Sequence, residues 1–191
     1  RARSIYELAI GQPVLDMPEI VWKSYIDFEE RNGQVDRVRA LYEKLLSRTK
    51  HVKVWLSFIL FETNKNELER ARQLFERAAK YLKSGSIEED VQHVEQQLER
   101  KEQCVTLLNN WLEFEEAHGT EESVAQVRRR MPKSIKKKRR ITTEDGQLAG
   151  WEEYTDYIFP DDEEKKPATS SKILEAAKQW KLKMQQQSKN K

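Results

Sequence analysis

Trp22-Lys23-Ser24-Tyr25-Ile26-Asp27-Phe28-Glu29 returns 33 residues later as Trp55-Leu56-Ser57-Phe58-Ile59-Leu60-Phe61-Glu62. Downstream of each, Val38-Arg39-x-Leu41-Tyr42-Glu43 returns as Ala71-Arg72-x-Leu74-Phe75-Glu76. A fixed period in this range is the sequence signature of a stacked repeat. At about 100° per residue, positions 22, 25, 28 and 29 fall within an arc of roughly 120°, one face of a helix. Val38, Leu41, Tyr42, Leu45 and Leu46 have the same spacing. Asn32-Gly33 and Asn64-Lys65-Asn66 lie between the blocks, where a turn is needed. Each unit therefore reads as two antiparallel helices, A and B. A single such pair buries too little apolar surface to stand alone.

Working outward, two partial copies flank these units. Ala2-Arg3-x-Ile5-Tyr6-Glu7 matches helix B, and Leu108-x-x-Trp111-x-x-Phe114-Glu115 matches helix A. Residues 121–131 are predicted to form a decayed last helix B carrying Val124, Val127 and Met131, stopped by Pro132. The repeat scaffold is thus expected to rest on Trp22, Tyr25, Phe28, Arg39, Trp55, Phe58, Phe61, Arg72, Trp111 and Phe114. Trp22 is expected to fill the space between its own helix B and the preceding unit. Glu29, Glu62 and Glu115 close helix A, while Arg3, Arg39 and Arg72 open helix B. These charges fit either a solvated surface or a Glu–Arg pair bridging helices or units. An exposed pair contributes roughly 0–1 kcal/mol.

Residues 80–107 break the period, because the last two helix A blocks stand 53 residues apart. Val91, Val94, Leu98, Val105 and Leu108 give this stretch a loose helical stripe. One long helix, or an extended helix B and a long helix A, is expected after a break at Ser84-Gly85-Ser86.

Net charge is only +2, yet the charge is sorted. Nine basic and no acidic residues lie between Arg128 and Arg140, and nine acidic but no basic ones between Glu144 and Glu164. The run Lys136, Lys137, Lys138, Arg139, Arg140 has the composition of a nuclear import signal or a phosphate contact, or of a solvated linker. It is expected to be extended, or to fold only on a partner. RNA contacts there would be to phosphate and salt-sensitive. No aromatic residue interleaves the cations along the chain, so a base-stacking platform is not indicated.

Gly146 and Gly150 are read as bracketing a joint. Beyond it, Trp151, Tyr154, Tyr157, Ile158 and Phe159 place five large apolar residues in nine positions of an acidic segment. They are candidates either to dock on another protein or to cap the exposed end of the array. Thr169–Gln187 reads as an isolated amphipathic helix containing Trp180, a further docking candidate. The expected organisation is a helical array at 1–131, a basic linker at 132–149, and a docking segment plus helix at 150–191.

Other functions lack their residues. No glycine-rich phosphate cradle is present. His51, His93 and His118 are scattered with no cysteine at zinc spacing, and the single Cys104 allows no intramolecular disulfide. No catalytic residue, metal or cofactor is expected. No apolar run approaches the roughly 20 residues of a membrane span. Because the chain opens inside a helix B without Met, it reads as the C-terminal piece of a longer solenoid.

The blocks W-x-x-Y-x-x-F-E and A-R-x-I-Y-E resemble HAT (half-a-TPR) repeats of RNA-processing proteins over residues 1–131. Leu108 in the first aromatic slot and the decayed last helix B depart from that pattern. The order of parts extends the likeness. Met131-Pro132-Lys133 and Lys136–Arg140 are followed by Gly150-Trp151-Glu152-Glu153-Tyr154-Thr155-Asp156-Tyr157-Ile158-Phe159-Pro160-Asp161, then by Ala177-x-x-Trp180-Lys181. With Trp22–Glu29 and His51–Phe58, this is similar to the C-terminal part of the crooked neck (Clf) family of pre-mRNA splicing factors. The resemblance implies an all-α HAT superhelical solenoid with an extended tail, acting without catalysis as a nuclear scaffold of the spliceosome-associated nineteen complex. The implied partners are a second HAT protein, a Myb-domain factor, core spliceosomal proteins and phosphates of snRNA or pre-mRNA. The rival readings are a direct RNA-binding adaptor and a HAT subunit of mRNA 3′-end processing.

Overall fold

Seven helices and one β-hairpin follow one another in the computed structural model, which describes residues 1–12, 18–84, 94–142 and 148–161. The helices are α1 (Ala2–Gly11), α2 (Pro18–Arg31), α3 (Val35–Arg48), α4 (Val52–Asn64), α5 (Leu68–Ser84), α6 (Val94–His118) and α7 (Glu121–Arg130). The strands are β1 (Lys133–Thr142) and β2 (Leu148–Ile158). The expected helix at Thr169–Gln187, with Trp180, lies outside the described residues.

Local chemistry explains the helix boundaries. Pro18 occupies the first turn of α2, where its missing N–H costs nothing. At the far end Gly33 adopts φ +69°, and Gln34 N–H donates to the Glu29 carbonyl at 3.0 Å while Gly33 N–H donates to Glu30 at 2.9 Å. This is a Schellman closure, which uses a left-handed residue to satisfy orphan carbonyls. One period later Asn66 repeats it at φ 60°, with Glu67 N–H on Glu62 and Asn66 N–H on Thr63. Asparagine is the non-glycine residue that tolerates this conformation best. His51 caps α4, its Nδ1 accepting from Lys53 N–H at 3.2 Å.

The helices stack in chain order. α1 packs on α2, α2 on α3, α3 on α4, α4 on α5, and α6 on both α4 and α5. The buried seam contains Trp22, Tyr25, Val38, Leu41, Tyr42, Trp55, Phe58, Phe61, Leu74, Phe75, Cys104, Leu107, Leu108, Trp111 and Phe114. Leu108, in the slot that holds tryptophan in the other units, is fully buried, so the position keeps its packing role with a smaller side chain. Ile5 occupies the slot of Leu41 and Leu74, yet it is 67% exposed while they are 8% and 4%. Those two leucines lie on a helix B with a helix A before it, and α1 has none in this structure. Of the long stretch after α5, α6 is one continuous helix of 25 residues.

Two compact units divide the chain, Arg1–Thr120 and Glu121–Lys191. The final helix, α7, therefore groups with the hairpin. After Pro132 the chain departs from an extended tail. β1 and β2 form an antiparallel pair running from Lys133↔Ile158 to Thr142↔Leu148. The run Lys136–Arg140 is extended, but it pairs within the chain as part of β1, and position 149/150 falls inside β2. Gly146 lies outside the described residues, and Gly150 is part of β2. It has φ +149° opposite Ile141, beside the register shift between Ile141 and Thr142. Such a bulge needs backbone geometry that glycine supplies.

Among the described residues no helix is long and apolar enough to cross a membrane. No group of His, Cys, Asp and Glu among them suits a metal.

Candidate interaction surface

The seam between units is built from two recurrent devices. The first is aromatic. Tyr6 of α1 stacks on Tyr25 at 5.0 Å and tilts against Phe28 at 5.6 Å. Tyr42 of α3 does the same with Phe58 at 4.7 Å and Phe61 at 6.0 Å. Phe75 of α5 repeats it with Trp111 at 5.3 Å and Phe114 at 5.4 Å. Each helix B thus wedges one ring between two rings of the next helix A, in the stacked and tilted geometries that aromatic quadrupoles favour.

The second device is ionic. Arg3 Nε and Nη2 donate to the two carboxylate oxygens of Glu29 at 2.6 and 2.8 Å. Arg39 grips Glu62 the same way at 2.8 and 2.8 Å, and Arg72 grips Glu115 at 2.9 and 3.1 Å. The glutamates are 0%, 1% and 3% exposed. Of the two readings of these charges, the bridge between units is the one the structure shows. The hydrogen bonds from Arg3 hold the Glu29 carboxyl below the ordinary carboxylate range against the opposing effect of burial. The forks of Arg39 and Arg72 are reciprocally held protonated above their ordinary value, chiefly by the bonds to Glu62 and Glu115. Two planar groups joined by paired bonds also set an angle, so each rung fixes orientation as well as distance.

Further ties escape the repeat pattern. Arg77 of α5 bonds both oxygens of Glu43 in α3 at 2.7 and 3.0 Å, and its guanidinium lies 5.4 Å above the Trp55 ring. Arg48 caps Trp22 at 5.6 Å, placing this tryptophan against its own helix B. Arg48 and Arg77 occupy different slots of the repeat, so no periodic signal marks them. Trp55 Nε1 is buried without a hydrogen-bond partner among the described residues.

The hairpin sorts the basic and acidic runs onto two faces, because successive strand residues alternate. One face carries Ile135, Lys137, Arg139, Tyr154, Asp156 and Ile158. Here Lys137 pairs with Asp156, which is 6% exposed and also accepts Tyr157 N–H at 2.8 Å. The bond to Asp156 raises the Lys137 ammonium above its ordinary value. Arg139 donates to Glu152 at 2.6 Å and lies 5.9 Å from the Tyr154 ring. The other face pairs Ser134 with Tyr157, Lys136 with Thr155, Lys138 with Glu153 and, by register, Arg140 with Trp151. It is the exposed one, with Trp151 57% exposed. The docking candidates therefore separate. Trp151 is exposed, Tyr154, Tyr157 and Ile158 are half-buried, and Phe159 is 7% exposed. Asp156 was not legible as an internal ion-pair residue, because its partner lies across the strand pair and not along the chain.

Tandem helical hairpins joined by repeated aromatic wedges and Arg–Glu rungs define a HAT-type repeat solenoid. The family described as PRP39 C-terminal HAT repeat matches residues 2–106. Crooked neck-like protein 1 of Homo sapiens is 46% identical over 186 residues, 97% of this chain and 20% of the relative. The pre-mRNA-splicing factor CLF1 of Paracoccidioides brasiliensis is 46% identical over 186 residues, 95% of this chain and 26% of the relative. CLF1 of Yarrowia lipolytica is 42% identical over 194 residues, 97% of this chain and 28% of the relative. The chain belongs to the crooked neck (CLF1) family of HAT-repeat pre-mRNA splicing factors, and spans about a fifth to just over a quarter of these relatives' length.

Proposed function

We propose that this chain acts as a non-catalytic scaffold in the nucleus, within the nineteen complex of the spliceosome, where it bridges other splicing proteins and the RNA core. The reading is supported most directly by identity with pre-mRNA-splicing factors along nearly the whole chain, hairpin included. The geometry suits the role. Three bidentate rungs fix the angle between successive units, and a fixed angle is what a scaffold needs to hold partners at set distances. The seam consumes one stripe of each helix and leaves the outer faces to solvent, with Ile20 and Leu60 each 60% exposed there. A second HAT protein, a Myb-domain factor and core spliceosomal proteins are the proposed partners. The two CLF1 relatives above are pre-mRNA-splicing factors, which favours splicing over 3′-end processing.

The experiment is depletion of the full-length protein from a splicing-competent nuclear extract, followed by add-back. Wild-type protein restores exon ligation and co-purifies with the activated particle. A full-length variant carrying Arg39→Ala and Arg72→Ala, which loosens two rungs, associates poorly. Undiminished splicing in the depleted extract, or absence of the protein from activated particles, refutes the role.

A further inference from the structure

Along the chain, no aromatic residue interrupts the basic run. Folding changes that, because β2 lays its aromatics beside β1. On the exposed face of the hairpin, Trp151 sits at the register position opposite Arg140, Lys138 is opposite Glu153, Lys136 is opposite Thr155, and Tyr157 is opposite Ser134. Cations and rings thus interleave across the strands even though they are segregated along the sequence.

The two faces differ in how their charge is used. On the more buried face, Lys137 is tied to Asp156 and Arg139 to Glu152. On the exposed face, Lys136 faces a neutral threonine and has no acidic partner among the described residues. The Lys138–Glu153 pair, 2.9 Å apart, is 64% and 59% exposed at the two side chains, so solvent screens it and a stronger anion can displace it. The exposed face therefore keeps a positive balance beside a large indole that is more than half in water. An exposed tryptophan with lysines further along the same face of a two-stranded ribbon is the composition of a single-strand platform, in which bases stack on rings and cations follow the backbone. From Trp151 to Tyr157 the strand runs roughly 20 Å, the reach of about three unstacked nucleotides.

We propose that the exposed face of the β1–β2 hairpin binds single-stranded RNA, with Trp151 stacking on a base and Lys136 and Lys138 contacting phosphates. The stacking contact is sequence-tolerant, because a ring stacks on any base. It deepens the proposed bridge to RNA by naming a surface for it, while the protein-bridging role does not depend on it.

The test uses the whole chain and a fluorescein-labelled ten-residue uridylate, followed by anisotropy from 50 to 200 mM salt. Trp151→Phe keeps a ring and binds within about threefold of wild type. Trp151→Leu keeps apolar bulk but loses the stack, and weakens binding about tenfold or more. Lys136→Gln removes one phosphate contact and lowers the slope of log affinity against log salt by about 0.7. That variant changes an exposed side chain without an acidic partner, so its readout holds even if Trp151→Leu disturbs the hairpin. Equal binding by wild type and Trp151→Leu, an unchanged slope in Lys136→Gln, or no binding at 50 mM salt overturns the proposal. Tighter binding of a ten-residue glutamate peptide than of the RNA also overturns it and assigns the face to an acidic protein. None of these readouts involves the splicing particle, so their failure leaves the scaffold reading untouched.

Discussion

Arg39→Ala tests the physical core of the fold. Glu62 has a side chain 2% exposed, and its oxygens take two hydrogen bonds from Arg39 at 2.8 Å each. Removing the guanidinium leaves a carboxylate in the seam with its charge unmatched. Breaking a buried pair in this way costs about 3–5 kcal/mol. Arg39 is itself 18% exposed, so water can reach the vacated site, and the lower end, about 3 kcal/mol, is expected. For a chain of this size that corresponds to a fall in Tm of about 6–12 °C. The rungs rank by the exposure of their arginines, 18% for Arg39, 29% for Arg72 and 39% for Arg3. Arg72→Ala should cost less than Arg39→Ala for a second reason, since Trp111 Nε1 still donates to Glu115 at 3.3 Å. The double variant Arg39→Met with Glu62→Leu removes both charges and should recover most of the loss. Urea unfolding followed by circular dichroism, run as a double-mutant cycle, measures this coupling. A loss under about 0.5 kcal/mol for Arg39→Ala, or additivity in the cycle, would show that the rungs are ordinary surface pairs and refute the argument.

Four further outcomes follow from the same structure. Tyr42→Ala should cost about 3–5 kcal/mol by emptying the wedge between Phe58 and Phe61, while Tyr42→Phe should stay within about 1 kcal/mol; thermal melts compare the two. Burial pushes the Tyr42 phenol up to about 12, so the folded state holds this proton after the unfolded chain has lost it. Stability should therefore fall from pH 10 towards 12, by up to about 1.4 kcal/mol per pH unit from this group, and Tyr42→Phe should flatten that limb in alkaline urea titrations. At the acid end, Glu29 is held below its unfolded value by Arg3. Its contribution is complete above the ordinary glutamate value and disappears as pH falls through the lower folded value, so Glu29→Gln should blunt acid unfolding of the first unit. Gly33→Ala should cost about 1–2 kcal/mol from its left-handed backbone alone, because an added Cβ meets nothing within 4 Å; Asn66→Gly, at the equivalent turn, should be neutral or mildly stabilising, and melting temperatures distinguish them.

The 33-residue period was legible because a stacked repeat must bury the same stripe in every unit. Trp22, Tyr25, Phe28, Trp55, Phe58, Phe61, Trp111 and Phe114 carry that stripe in the chain itself, as do the paired positions of Arg39 and Glu62. Whether those charges met each other or met water was not legible, since helix spacing places a residue on a face without saying what covers it. The tail was harder still. Helical periodicity is local, whereas strand pairing is a relation between segments. The sorted charges of Lys136–Arg140 and Glu152–Asp156 become complementary only when a bulge at Gly150 sets one strand against the other. That pairing moved Lys137 onto a buried aspartate, and left Trp151 exposed on the face that also carries Lys136 and Lys138. Composition and period alone determined a helical-hairpin array, because apolar burial acts residue by residue along each helix. Which charges are spent inside the protein, and which remain for a partner, was decided only by tertiary structure, because an electrostatic partner is chosen by distance in space.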